Sequence, residues 1–291
     1  MLVACTFGGG SPNHHAAGNR CRDQLQSLGI FDKVYIYTEV DLQLDQEFWS
    51  CHGDFITTHP RGYGYWLWKP YLILRTLDSL QNGDVLVYTD AGCETSMWQA
   101  PAVRHCLEVI QESPDQSIDV NQTVYKDQCW SKEDLWQHMG MVRTGHRRQY
   151  EPGRIVLKKS SYTVQLIQDW FDIATRDHYH LIDDSPSRLH EEIPTFVEHR
   201  HDQSIFSLLL HKSQFQVTNH ISHGIIALRT RSGQSRIMYY NLLTGPALPF
   251  LILCLLLVLL VTLTVFGCAR WAGTRTIPPT VASQIGSRLS D

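Results

Sequence analysis

The sequence predicts an α/β fold, and three observations carry that expectation. Val85–Thr89, inside NGDVLVYTDAGCE (residues 82–94), is a short apolar run with β-branched and aromatic members, bounded by Gly83, Asp84, Asp90 and Gly92. Such a run reads as a buried strand of a mostly parallel sheet. The first forty residues give a strand, helix, strand order, which opens an α/β unit. The 291 residues, 43% hydrophobic and 19% charged, are enough for one large globular domain.

Leu2–Phe7 reads as the first strand, ended by Gly8-Gly9-Gly10-Ser11-Pro12, whose glycines lack the GxGxxG spacing of a dinucleotide loop. Asn19–Leu28 reads as a helix stopped by Gly29, Lys33–Thr38 as the second strand, Asp41–Trp49 as a short acidic helix and Phe55–Thr58 as a short strand before Pro60. In Arg61–Tyr71 (RGYGYWLWKPY), Tyr63, Tyr65, Trp66 and Trp68 crowd beside two glycines, Arg61 and Lys69. The rings can stack on a flat ligand ring and the cations can meet phosphate; the other reading is an aromatic hinge under the next helix. That helix is Pro70–Leu80, with proline in its first turn and Leu72, Ile73, Leu77 and Leu80 on one side.

Beyond Glu94, Pro101–Ile110 reads as a helix and Ser113–Gln128 as a polar loop with one strand near Val124. Ser131 stands as the N-cap of a helix with acids in its first turn, continued by Leu135–Met141. Then come a short strand at Arg154–Leu157, a helix over Ser161–Thr175, and a loop or lid over Asp177–Pro194. An apolar helix, Ile205–Leu210, is opened by His199–Ser204, with Asp202 where an N-cap belongs. Gln214–Asn219 reads as the last strand, before the apolar stretch Ile221–Leu228. No internal repeat or low-complexity linker breaks this region, so residues 1–240 read as one domain.

Asp90 falls at the carboxyl end of the Val85–Thr89 strand, where ligands sit in open α/β sheets. A carboxylate there can hold a divalent cation, and the cation can hold phosphates, while Gly92 lets backbone come close to a ligand. An Asx-turn capping the strand is the alternative. The net charge of −4 offers no basic excess of the kind that follows a nucleic-acid backbone. Eight cysteines, none in CxxC spacing, suit free thiols in a reducing compartment.

Ala247–Ala269 carries no charge over 23 residues. At about 1.5 Å per residue it spans about 34 Å, against a hydrocarbon core of about 30 Å. A transmembrane helix over 247–269 is therefore expected, followed by an unstructured tail, 270–291. Arg229, Arg231 and Arg236 precede the run and Arg270 and Arg275 follow it, so charge leaves the orientation open. The start, MLVACTFGGG, has neither a basic n-region nor a long apolar core. The chain accordingly reads as single-pass with a C-terminal membrane anchor and a cytosolic domain.

Four segments, RGYGYWLWKPYLI, GDVLVYTDAGCE, CWSKEDLW and HRHDQSIFSLL, resemble in this order a family of nucleotide-diphospho-sugar glycosyltransferases of GT-A fold from bacteria, algae and large DNA viruses. The likeness runs from about Thr6 to Leu210 and excludes the anchor. It implies a GT-A-like doubly wound mixed sheet, a nucleotide-sugar donor, a glycan, lipid-linked or protein acceptor, and Mn²⁺ or Mg²⁺ as cofactor. Asp90-Ala91-Gly92 matches the family's DxD: Asp90 is the implied metal ligand, and Gly92 cannot ligate, with Glu94 or waters completing the shell. The donor surface implied by the resemblance comprises Thr6, Arg61, Tyr65, Trp68, Lys69, Asp90, Ala91 and Gly92. His201-Asp202-Gln203 is similar to the catalytic element of retaining galactosyltransferases and blood-group transferases. In that likeness Asp202 orients a sugar and Gln203 lies opposite the leaving group, which fits a front-face retaining path because an amide is a poor nucleophile. If the enzyme inverts, Asp202 or Asp184 is the base. His220 or His223 is a further candidate metal ligand. Two other functions stay open: a catalytically inactive nucleotide-sugar or glycan-binding protein, which Gly92 favours, and a sugar-nucleotide hydrolase.

Overall fold

The computed structural model describes residues 1–244, 252–253 and 255–264. The chain divides into two compact units, 1–238 and 239–291. In chain order the elements are β1 (Leu2–Phe7), α1 (Pro12–Ser27), β2 (Lys33–Tyr37), α2 (Glu39–Leu44), α3 (Gln46–Thr58), α4 (Gly62–Tyr65), α5 (Trp68–Asp78), β3 (Val85–Thr89), α6 (Ala100–Glu112), β4 (Ser117–Lys126), α7 (Asp127–Trp130), α8 (Glu133–His138), β5 (Arg148–Lys158), α9 (Ser161–Thr175), α10 (His201–Lys212), β6 (Gln216–Thr218), α11 (Ile221–Gly224) and α12 (Ile237–Thr244).

The six strands form one mixed sheet in the order β2-β1-β3-β5-β4-β6. β1 runs parallel to β2 and β3, β5 lies antiparallel between β3 and β4, and β4 runs parallel to β6. Alternation along the central strands divides the core in two. Val3, Cys5, Phe7, Leu86, Tyr88, Ile155 and Leu157 face the layer of α3, α5, α8, α9 and α10, where Trp136 and Trp170 are buried. Ala4, Val85, Val87 and Val156 face α1, α6 and α11. Burial on both faces explains why these strands read as continuous apolar runs.

The structure corrects several element boundaries. α1 begins seven residues before the expected helix, because Ser11 caps it by accepting from His14 N and Pro12 fills its first turn. Phe55–Thr58 is no strand but the end of α3, where Phe48, Phe55 and Ile56 line one buried helical face. The polar stretch after Ser113 holds the ten-residue β4, buried over Ser117–Val120 and largely exposed beyond. Lys132, not Ser131, precedes α8, and Arg200, not Asp202, precedes α10. Asp202 is thereby free to face inward.

The expected membrane helix, 247–269, lies outside the described residues except at 252–253 and 255–264, which are helical; the expected tail, 270–291, lies wholly outside them. No helix among the described residues is long and apolar enough to cross a membrane. The six described cysteines are free.

Asp119, fully buried in β4, ties α11 to the sheet by accepting from Thr218 Oγ1 (2.6 Å), His220 N (2.6 Å) and Ile221 N (2.9 Å). Asp119→Ala leaves these donors without a partner and should cost about 2–4 kcal/mol in urea unfolding. A loss below about 1 kcal/mol would show that this anchor is dispensable.

Candidate active site

Three segments far apart in the sequence meet at the carboxyl end of β3. The first turn of α5 supplies Lys69, β3 ends at Asp90, and the first turn of α10 supplies Asp202. Lys69 Nζ lies 2.8 Å from Asp202 Oδ2 and 3.3 Å from Asp90 Oδ1. Tyr88 donates its hydroxyl to the same Asp90 Oδ1 at 2.7 Å. The side chains of Lys69 and Asp202 are 4% and 6% exposed and that of Asp90 is 38%, so Asp90 stands at the mouth and the other two at its floor.

Burial alone would lower the pKa of the Lys69 ammonium; Asp202 and Asp90 outweigh it and hold that pKa above its ordinary value. Asp202 is pushed up to about 6, first by burial, with Lys69 opposing and Asp90 adding to the rise. Burial and then Asp90 raise Tyr88, which therefore keeps its proton and remains a donor.

The backbone before Lys69 is unusual. Gly62, Tyr63, Gly64, Tyr65 and Trp66 all have positive φ, at 61°, 54°, 82°, 52° and 61°, forming one left-handed turn. Such a conformation costs roughly 1–2 kcal/mol at each of Tyr63, Tyr65 and Trp66. Hydrogen bonds from Gly64 N to His59 O (2.7 Å) and from Tyr65 N to Arg61 O (2.8 Å) hold it. Side-chain packing adds to them: Tyr65 stacks on His201 at 4.5 Å, Trp68 stacks on Phe7 at 3.9 Å, and Trp68 Nε1 donates to Gly62 O at 3.0 Å. The turn delivers Lys69 to the strand end, and the alternating glycines were its only sequence signal.

His201 also has a positive φ, 49°. Its Nδ1 lies 2.8 Å from Ile182 O, which can only accept, so Nδ1 carries the proton. Nε2 is buried without a hydrogen-bond partner, 3.5 Å from Asp184 Oδ1. Burial lowers the imidazole to about 4, so it is neutral near pH 7 with its lone pair available. Arg61 spans Asp184 (3.3 Å) and Glu198 (3.4 Å) at the rim. Gln203 donates to Gln149 Oε1 at 2.7 Å, which turns its amide toward β5. Thr6 is fully buried in β1, and Ala91 is buried.

Two buried networks that sequence reading missed support these groups. From α1, Arg20 donates to Ala91 O (2.7 Å), Cys93 O (3.2 Å), Thr230 O (3.1 Å) and Ser232 O (3.1 Å), fixing the backbone after Asp90. Glu94 accepts from Thr230 Oγ1, Ser235 Oγ, Arg236 N and Ile237 N and pairs with Arg20. Lys132 donates to His180 O, Asp183 Oδ1 and Ser185 O, and His180 pairs with Asp134 at 2.6 Å, holding the loop that carries Asp184. Trp130 O accepts from Arg200 N (3.0 Å) and Ser204 Oγ (2.6 Å), bracing the start of α10. Only long-range folding brings these partners together, so the segments CWSKEDLW and GDVLVYTDAGCE show the residues but not the pairings.

The residues present do not fit the divalent cation that the resemblance implies. The Lys69 ammonium takes the place between the two carboxylates where a bridging ion would sit. Gly92 offers no side-chain oxygen, and Glu94 is taken up by the segment 230–237. His220 is turned edge-on to His105 at 5.1 Å. Among the described residues no group of three His, Cys, Asp or Glu could hold a metal ion.

No family model and no curated protein matches the chain. Among solved structures it is similar to the apo form of mouse xyloside xylosyltransferase 1, at 11% identity and a TM-score of 0.39, covering 75% of this chain and 85% of that one. A glycosyltransferase involved in glycosylation of the major capsid of PBCV-1 gives 8% identity and a TM-score of 0.34, with 61% and 68% covered. Galactosyltransferase LgtC, in complex with donor and acceptor sugar analogs, gives 11% identity and a TM-score of 0.37, with 75% and 73% covered.

The site yields two expectations. Asp202 titrates near 6 when folded, against 3.8 ordinarily, so between these values the folded chain holds a proton that the unfolded chain has released. Its contribution to stability is complete below the lower value and is lost as pH rises through the upper one. Asp202→Asn cannot ionise, so its stability relative to wild type should increase from about pH 4 to about pH 7 in urea unfolding; a constant difference would refute the buried-carboxyl assignment. Separately, a Cβ at Gly64 would lie 2.7 Å from Ile56 Cγ1 at a φ of +82°. Gly64→Ala should therefore destabilise the fold by about 1–3 kcal/mol, and an unchanged melting temperature would argue against the left-handed turn.

Proposed function

We propose that the protein is a glycosyltransferase that moves a sugar from a nucleotide-diphosphate donor to a glycan or lipid-linked acceptor with retention of configuration. The observation that carries this reading is the convergence of the resembling segments on one ionic cluster. RGYGYWLWKPYLI contributes Lys69, GDVLVYTDAGCE contributes Asp90 and HRHDQSIFSLL contributes Asp202, while CWSKEDLW braces α10 through Trp130. The cluster stands at the end of a central strand, the usual ligand position in open α/β sheets.

Each group then has a chemical part. The donor's diphosphate lies over the end of β3, where Lys69 opposes the charge that develops as it leaves. Asp202, ionised above about pH 6, faces the electron-poor sugar carbon and steadies it. The His201 Nε2 lone pair accepts a hydrogen bond from a sugar hydroxyl, while Gln203 is held toward β5 by Gln149. The bond from the anomeric carbon to the phosphate oxygen breaks and a bond to the acceptor oxygen forms on the same face. The acceptor's proton passes to the departing phosphate oxygen. The apolar run 247–269 would anchor the domain at a membrane, with residues 1–240 on the cytosolic side.

The test incubates the full chain with UDP-, GDP-, CMP- and TDP-sugars and an extract of glycan and lipid-linked acceptors, and measures nucleotide release and sugar transfer. One donor should turn over, and Asp202→Asn should slow its transfer by about 10²–10⁴-fold while binding of the donor persists. Binding of a donor with no turnover would establish instead the inactive binding protein that Gly92 suggests. Release that is indifferent to acceptor would establish a hydrolase.

A further inference from the structure

We infer that this site binds and activates its diphosphate donor without a divalent cation, with Lys69 and Arg229 carrying the positive charge. The inference rests on the transferase reading above and concerns how its donor is held.

Asp90, the one acid of the Asp90-Ala91-Gly92 run, already has one of its two oxygens engaged by a cation and a hydroxyl. Its Oδ1 is engaged by the Lys69 ammonium at 3.3 Å and by the Tyr88 hydroxyl at 2.7 Å. Its Oδ2 stands at the partly exposed mouth beside Gly153, where a Cβ would come within 3.1 Å of it. An ion bridging Asp90 and Asp202 at the usual distance of about 2.0–2.6 Å would have to share its place with the ammonium, which already touches both carboxylates. Ammonium and dication repel, and the ammonium is tethered by a buried side chain and cannot diffuse away.

The second acid of a DxD is replaced here by more than a missing side chain. Gly92 packs on the backbone of residue 229: a Cβ at position 92 would lie 3.3 Å from Arg229 Cα, and Thr230 N donates to Gly92 O at 2.9 Å. Arg229 adopts a left-handed φ of 54°, and its side chain is 70% exposed. The backbone of an arginine thus packs against the place of the second acid, and its guanidinium pairs with Glu151 nearby. Glu151, the carboxylate next along β5, is paired with Arg229 at 3.3 Å and Arg154 at 3.5 Å and is not open to a metal. A planar guanidinium and a buried ammonium match the two needs of a diphosphate, which are bidentate grip and charge neutralisation.

The test titrates the full chain, freed of metals by chelation, with UDP, GDP and TDP by calorimetry, in excess EDTA and again with Mn²⁺. Binding of Mn²⁺ alone is read in parallel from the loss of its free-ion electron paramagnetic resonance signal. One diphosphate should bind in EDTA with an affinity within about threefold of that in Mn²⁺, and the Mn²⁺ signal should match buffer. Arg229→Ala, a change at an exposed side chain, should weaken binding in EDTA by about tenfold or more. Asp90→Asn should tighten it, because a negative charge is removed; a metal ligand would give the opposite sign. Diphosphate binding that requires Mn²⁺, or that Asp90→Asn abolishes, overturns the inference and leaves the transferase reading standing. No binding of any diphosphate under either condition overturns both.

Discussion

A single ammonium buried between two carboxylates sets the terms for the rest of this fold. Taking Lys69 out of water costs several kcal/mol, and Asp90 and Asp202, with the face of the Tyr88 ring, offset it. Asp202 cannot be moved far without leaving the buried ammonium with the partly exposed Asp90 as its one remaining carboxylate. The end of β3, the first turn of α5 and the first turn of α10 are therefore locked to one another, although their side chains come from distant parts of the chain. The raised titration of Asp202 is the cost of this arrangement, and a carboxylate poised to change charge near neutrality is its result.

Strain gathers around this lock. The left-handed turn at 62–66 leads into Lys69, and a second left-handed run at Asp177, His178 and Tyr179 opens the loop that carries Asp184. Both lean on the same aromatic cluster: Tyr179 stacks on Phe55 at 3.9 Å, and Phe55 stands 6.0 Å from Tyr65. Backbone held in such regions persists only where its surroundings over-determine it, and such positions concentrate at functional sites. The crowding of rings that the sequence displays between residues 63 and 68 is thus hinge and site surface at once, because the rings pack the strained backbone while its end presents the cation.

Much of this could be read from residues alone, and the exceptions have physical reasons. β3 and its terminal Asp90 were legible because both faces of the strand are apolar and the punctuation is sharp. α9 was legible to the residue because Ser160 and Thr163 form a reciprocal cap at its start. β4 was hidden because half of it runs exposed and polar. The end of α3 passed for a strand because Phe55, Ile56, Thr57 and Thr58 have β-forming side chains, and packing overrode that preference. Asp202 looked like a helix cap, since position alone cannot tell a carboxylate that bonds its own backbone from one that reaches Lys69. Arg20 carried no signal and Glu94 was read as a candidate metal ligand, because their true partners lie at sequence separations that no local pattern spans.

The Glu94 clasp has a mechanical consequence. The chain leaves its first unit just after Ile237, and the last bonds it makes there run to Glu94 and Arg20, the same two groups that fix the backbone beyond Asp90. Tension on the chain beyond Met238 is delivered first to hydrogen bonds on that one carboxylate, loaded in parallel. Upstream of it Arg20 holds Ser232 O, and then the bond from Thr230 N to Gly92 O lies directly on the Asp90 loop. A pull on the C-terminal side would therefore reach the mouth of the site, where Asp90 stands, through these bonds.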